Sequence, residues 1–321
     1  MAGLRYVMAR DIKPDLDAGL VDGLLGSTSL SVWYGDSGAG KTFVAIDLAG
    51  HIGTGRRWRG FDVERGLVVY VAAENPQSVQ NRVWAWMQHH RVSEAQLAVV
   101  VSPVNLMKQD AGRLIELIEG MEEPPKLVII DTLARAMRGD ENSSEDMGLF
   151  VVACEKIRDR FKCHVLVIHH TGKDQSRGAR GSSALRAAVD TEVELVKHSK
   201  ESRSFTITKA RDGEFEGEPY GYELIDVPLG TNSKGRATKT AVAIEAEPPE
   251  PKAKRTKLGA VQQIVLDALK GQMPLEAWCK AAMAQLSGDR TKQGFDRARN
   301  ALVAAGEVII EDGIARRWNA I

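Results

Sequence analysis

Between Ser29 and Ile207 short apolar runs alternate with longer amphipathic stretches, which is the spacing of a parallel sheet covered by helices. The pattern predicts strands over Ser29–Tyr34, Gly66–Ala73, Ala98–Val101, Lys126–Ile130 and His164–Ile168. It predicts helices over Lys41–Ile52, Ser78–His90, Gly112–Gly120 and Asp146–Phe161. The texture then changes. Thr191–Val196, Ser204–Thr208, Tyr222–Ile225 and Thr240–Glu245 are short strand-like runs joined by turns, so antiparallel hairpins should extend the parallel sheet. Ala246–Lys257 is rich in proline and charge with almost no apolar content, and is expected to be an exposed linker. Beyond it, Leu258–Leu269, Leu275–Leu286 and Thr291–Ala305 have helical apolar spacing. Glu307–Ile310 and Ile314–Trp318 flank Asp312-Gly313, a hairpin signal. Three helices and then a hairpin is the winged-helix order. The expected organisation is therefore an α/β domain over 1–245, a linker over 246–257 and a small winged-helix-like domain over 258–321.

Composition narrows this only a little. The 321 residues are 43% hydrophobic and 27% charged, as expected for a globular chain with a large core. The 43 Lys and Arg balance the 43 Asp and Glu, so any affinity for nucleic acid must come from a local basic cluster. Cys154, Cys163 and Cys279 have no metal-ligand spacing and are expected as reduced thiols. The N-terminus lacks an apolar leader and no apolar run is long enough for a bilayer, so a cytoplasmic protein without a membrane partner is expected.

The chemistry begins at Gly35-Asp36-Ser37-Gly38-Ala39-Gly40-Lys41-Thr42, which fits G-x-x-x-x-G-K-[ST] between an apolar strand and a helix. Glycines let the backbone curl so that successive N–H groups meet phosphate oxygens. The helix N-terminus adds positive potential. Lys41 should reach the β- and γ-phosphates, and the Thr42 hydroxyl should ligate Mg²⁺. ATP and Mg²⁺ are the cofactors this implies.

Three strand ends add to it. Leu127–Ile130 runs into Asp131, a carboxylate placed to hold the Mg²⁺ shell beside the phosphate loop. Glu74 follows the apolar run Leu67–Ala73. It can accept a proton from the attacking water, or it can cap the next helix with Asn75-Pro76 as the turn. In one branch of phosphate-loop ATPases the catalytic Glu sits on this strand, and Glu74 occupies that place. His169 and His170 end the strand that begins at His164. One of them can touch the γ-phosphate; the alternatives are zinc binding, for which no third ligand has the spacing, and a plain pair with one imidazole buried and one exposed.

Together these residues resemble the RecA/DnaB superfamily, and within it the plasmid-type RepA hexameric helicases, often labelled AAA-type ATPases. The segments that carry the resemblance are Leu20–Leu25, Tyr70–Glu74, Ile130–Thr132, His169–Lys173, Arg180–Leu185 and Lys209–Gly213. They lie within roughly residues 15–245, about two-thirds of the chain. The resemblance implies a RecA-like core and a homo-oligomer, as a hexameric ring. It implies that Glu74 is the catalytic carboxylate and that His170 is the strand-end sensor. It also implies that Lys209 and Arg211 are a K-x-R pair reaching a neighbour's γ-phosphate, with Arg211 as the arginine finger.

Lys173–Arg180 (KDQSRGAR) is basic, contains glycine and has no aromatic residue. Facing a ring's pore, it should hold single-stranded DNA by its backbone through Lys173, Arg177, Arg180 and the N–H groups around Ser182, with little sequence preference. A surface loop without DNA contact is the alternative. Arg290, Lys292, Arg297 and Arg299 over Asp289–Ala305, at and in the third C-terminal helix, with Arg316 and Arg317 in the wing, suit contact with duplex DNA. The whole-chain expectation is a DNA-stimulated replicative helicase of plasmid or phage type. A filament-forming recombination ATPase and an ATP-switched loader or regulator remain open beside it.

Overall fold

The computed structural model describes residues 6–13, 19–170, 183–211, 215–249, 259–286, 292–304, 307–311 and 313–317. The chain separates into two compact units, Met1–Pro249 and Glu250–Ile321.

The first unit is a nine-stranded sheet. In chain order its strands are β1 (Leu30–Gly35), β2 (Leu67–Ala72), β3 (Leu97–Val100), β4 (Pro125–Asp131), β5 (His164–His170), β6 (Thr191–Lys197), β7 (Arg203–Ala210), β8 (Pro219–Thr231) and β9 (Ala237–Glu245). Their order across the sheet is β3-β2-β4-β5-β1-β6-β7-β8-β9. Strands β1 to β6 pair in parallel; β7, β8 and β9 extend the sheet antiparallel. The helices are α1 (Lys41–Thr54), α2 (Pro76–His90), α3 (Asp110–Glu119), α4 (Leu133–Met137), α5 (Ser144–Phe161) and α6 (Ser183–Ala188). This is a parallel sheet core with an antiparallel extension, as the spacing of the sequence predicts.

Period-two alternation explains why helices cover both faces of the sheet. Leu127 and Ile129 of β4, with Leu166 and Ile168 of β5, join one apolar cluster with Val44, Leu48 and Trp86 of α1 and α2. Val128, Ile130, Val165 and Val167 join the opposite cluster with Leu114, Phe150, Ile157 and Leu185 of α3, α5 and α6. Each such side chain taken from water contributes roughly 1.5–3 kcal/mol before entropy is set against it.

Two differences from the sequence pattern stand out. Strand β8 has thirteen residues, far more than Tyr222–Ile225. Its far half pairs with β9 alone, with a register shift between Pro228 and Gly230, so proline and glycine sit where they are tolerated and hide the strand from a propensity reading. Helices α4 and α6 are too short for helical periodicity to reveal.

The start of β5 carries a buried polar knot. His164 is fully buried, with Nδ1 near Ser29 Oγ (2.9 Å) and the Gly26 carbonyl (2.8 Å), and Nε2 2.7 Å from Ser31 Oγ. Burial pushes its pKa down to about 4. The unfolded chain therefore binds a proton that the folded chain refuses between pH 6.5 and 4. Stability from this group is complete above pH 6.5 and is lost as pH falls, by roughly 3 kcal/mol at pH 4. Urea titrations at pH 7 and pH 4 should show a smaller difference for His164→Gln than for the wild type. Equal pH slopes would refute this account.

The second unit has α7 (Ala260–Asp267), β10 (Gln272–Pro274), α8 (Leu275–Met283), α9 (Lys292–Ala304), β11 (Val308–Glu311) and β12 (Ile314–Arg317), with sheet order β10-β12-β11. Its core holds Leu269, Trp278, Phe295, Leu302 and Val308. The Trp278 indole donates to the Val265 carbonyl (2.7 Å), which satisfies its one polar atom. The fold is winged-helix-like. Strand β10 precedes the second helix and is too short to register as an apolar run.

Candidate nucleotide site

The loop after β1 is shaped by neighbours that leave no room for side chains. A Cβ on Gly35 would lie 2.2 Å from the Leu195 carbonyl oxygen, so only glycine fits against β6. Gly40 has φ +99° and faces Tyr222 and Leu224, so it is strained for any other residue. The Tyr222 hydroxyl, buried on β8, donates to the Ala39 carbonyl (2.6 Å) and fixes the loop from below. Helix α1 starts at Lys41, which directs its free N–H groups toward the loop.

Lys41 Nζ donates to the carbonyls of Gly35 (2.7 Å) and Asp36 (3.0 Å) and lies 3.3 Å from His170 Nδ1. Burial lowers its pKa to about 8, opposed by Asp131, Asp36 and Glu74, so it remains a cation at neutral pH. The His170 pKa is also depressed, first by burial and then by Lys41, which favours a neutral imidazole as acceptor.

Asp131 ends β4 and is 4% exposed. Its Oδ2 accepts from Thr42 Oγ1 (2.8 Å) and from the Tyr70 hydroxyl (2.6 Å). Burial raises its pKa, while Tyr70, Thr42 and Arg82 oppose the shift. A hydroxyl and a carboxylate oxygen side by side are hard ligands of the kind Mg²⁺ takes, with waters and phosphate oxygens completing its shell, so the residues fit that ion.

Glu74 stands two residues beyond β2, exposed at the rim of the same cavity. It does not cap α2. That role belongs to Asn75, whose Oδ1 accepts from Ser78 N (3.1 Å), with Pro76 in the first turn. The cavity has a volume of about 520 Å³ and gathers Lys41, Thr42, Glu74, Asp131 and His170. His169, by contrast, is buried beside them in β5, outside the cavity lining.

Sequence reasoning missed Tyr70, Arg82 and Arg135, though Arg82 and Arg135 also line the cavity. The Arg82 guanidinium lies 4.2 Å from the Phe43 ring centroid, and its Nε is buried without a hydrogen-bond partner. One signal was available. Asn75, Ser78, Val79 and Arg82 follow helical spacing, so a helix that starts beside Glu74 keeps Arg82 on the Glu74 side.

Lys209 and Arg211 are elsewhere. The register pairs Gly35 with Leu195 and Ser31 with Thr191, and Thr191 in turn with Ala210. The pair therefore sits at the edge where β1 begins, and four residues of strand, about 13 Å, separate that edge from the phosphate loop. There Lys209 Nζ donates to the Arg186 (2.7 Å) and Val189 (2.6 Å) carbonyls. Arg211 donates to Asp190 Oδ1 (2.9 Å) and the Ala187 carbonyl (3.4 Å).

Lys173, Arg177, Arg180 and Ser182 lie outside the described residues, as does Arg290. In the winged unit, Arg317 is occupied internally: it donates to the Leu266 and Leu269 carbonyls and to Asp267, holding the end of α7. Arg316 pairs with Glu311, and Arg299 with Asp296. Lys292 and Arg297 are the exposed α9 cations. Among the described residues no helix is long and apolar enough to cross a membrane, and no group of three or more His, Cys, Asp or Glu could hold a metal ion.

Compared with known proteins, residues 11–176 match the model of a family described as AAA domain. Among solved structures, the ATPase domain of G40P aligns over 62% of this chain and 82% of that one, at 13% identity and a TM-score of 0.46.

Proposed function

The chain belongs to the AAA domain family, and from that premise we propose that it is an oligomeric, DNA-stimulated ATPase that translocates on single-stranded DNA, a replicative helicase of plasmid or phage type. The observation that carries this reading is the separation of the cations from the cavity. Lys41, Thr42, Glu74, Asp131 and His170 surround one cavity, whereas Lys209 and Arg211 stand at the far edge of the sheet. An arginine cannot span about 13 Å of strand to its own phosphate loop; it can reach the loop of an adjacent copy. A closed ring makes that contact in every subunit.

The roles follow from placement. Lys41 and the loop N–H groups bind the ATP phosphates, and Thr42 and Asp131 hold Mg²⁺. The ion, when bound, neutralises charge on the phosphate oxygens. Glu74 orients and deprotonates the attacking water, and His170 senses the γ-phosphate through its contact with Lys41. Lys173, Arg177, Arg180 and Ser182 follow His170 directly in sequence, the shortest path from phosphate to a DNA-gripping loop. The winged unit takes duplex DNA through Lys292 and Arg297 of α9.

Turnover with and without single-stranded DNA tests the proposal. Arg177→Ala with Arg180→Ala should abolish the DNA-dependent increment. It should also lower the salt slope of single-strand binding by roughly 0.7 for each lost phosphate contact. Truncation after Glu247 should keep the increment and remove duplex affinity. Turnover indifferent to DNA would refute the motor reading, and open filaments in electron micrographs with a non-hydrolysable ATP analogue would refute the ring. If the truncation loses the increment and the loop variant keeps it, the winged unit is the main DNA site.

A further inference from the structure

Helix α6 and the first residue after it take up both cations of the far edge. Lys209 donates to the carbonyls of Arg186 and Val189, and Arg211 to that of Ala187. The Asp190 carboxylate is shared: Oδ1 accepts from Arg211, and Oδ2 accepts from the backbone N–H of Leu30, the first residue of β1. The Asp190 main chain also pairs with Leu30 and with Arg211. Asp190 is thus fixed to the sheet, whereas the Arg211 side chain is about half exposed.

The N–H groups that Arg211 spends on Asp190 and Ala187 are those it would offer to a phosphate. Two of the five guanidinium N–H donors are held in this way, so turning the fork toward a neighbour breaks those bonds. We propose that Asp190 is a positioning residue that parks Arg211 against the end of α6, so that its release sets how fast the oligomer hydrolyses ATP without DNA. The inference rests on the reading of Arg211 as a cation acting in trans. It adds a reason for stimulation by DNA: α6 begins at Ser183, immediately after Ser182 of the segment assigned to DNA, and its last carbonyls hold the parked pair. A shift of α6 along its axis would loosen both cations together.

The test uses the full-length oligomer. Asp190→Asn keeps an acceptor for Leu30 N–H and removes the charge that retains Arg211. DNA-free turnover should rise about two- to fivefold, the worth of a half-exposed ion pair in an equilibrium constant, and the ratio of DNA-stimulated to DNA-free turnover should fall. The double variant Asp190→Asn with Arg211→Ala should match Arg211→Ala alone, because Asp190 acts through Arg211. If Asp190→Asn does not fold, Asp190→Ser offers a hydroxyl to Leu30 N–H and carries the same prediction. DNA-free turnover unchanged or lowered in the folded single variant overturns the proposal. So does a double variant faster than Arg211→Ala. Wild-type turnover in Arg211→Ala alone would instead remove the underlying reading of Arg211.

Discussion

Glu74→Gln should bind ATP as the wild type does and turn it over slower by a factor on the order of 10² or more. The amide fills the same volume and keeps an oxygen for the attacking water, but it cannot take the proton. The geometry separates this effect from folding. Glu74 is exposed at the cavity rim, while the cap of α2 is made by Asn75 and Pro76, so the substitution leaves the helix start intact. Lys41 has its own carbonyl partners in the phosphate loop and keeps its place. Binding measured with a fluorescent ATP analogue and turnover measured by phosphate release give the two quantities separately. Lys41→Ala should show the opposite split, with weakened binding. Wild-type turnover in Glu74→Gln would pass the role of base to another group.

The sheet was legible because its strands are buried on both faces. Leu127–Ile130 and Val165–Ile168 read as continuous apolar runs, and the phosphate-loop motif sits where such a run meets a helix. The cavity was legible for the same reason: Glu74, Asp131 and His170 lie at the ends of the adjacent strands β2, β4 and β5, and the motif names β1, the next strand beside β5. What could not be read is what depends on contacts distant in sequence. Tyr70 looks like one more strand residue until β2 and β4 are paired, when its hydroxyl meets Asp131. Arg82 is an ordinary cation of an amphipathic helix until α2 is laid beside the loop. Arg317 reads as a wing cation, yet the open carbonyls at the end of α7 claim it, and nothing local announces those carbonyls. Tyr222, which reads as the start of a short strand, turns out to support the phosphate loop from across the sheet.

A different order of effect is expected at the far edge. Arg211→Ala should bind ATP normally and lose turnover by roughly 10³-fold or more, since a cation stabilising the charge of phosphoryl transfer is worth that much. The loss should be curable in trans. In a mixture of Arg211→Ala with Lys41→Ala, the first protein supplies intact phosphate loops and the second supplies intact cations. Where the two meet in the right order, a complete site forms and activity returns, although each protein alone is inactive. The physical ground is the register of the sheet: Gly35 aligns with Leu195 and Ser31 with Thr191, so the cations and the loop of one chain end at opposite edges. Folded back, Arg211 bonds Asp190 and Ala187 among the described residues of its own chain, neither of which lines the cavity. Destabilisation does not imitate this result, because the side chain is half exposed and an ion pair of that kind contributes little to folding. Phosphate release across a series of mixing ratios should pass through a maximum. With mixed oligomers verified by native mass spectrometry, a flat series at the level of the two inactive proteins would exclude a site shared between subunits.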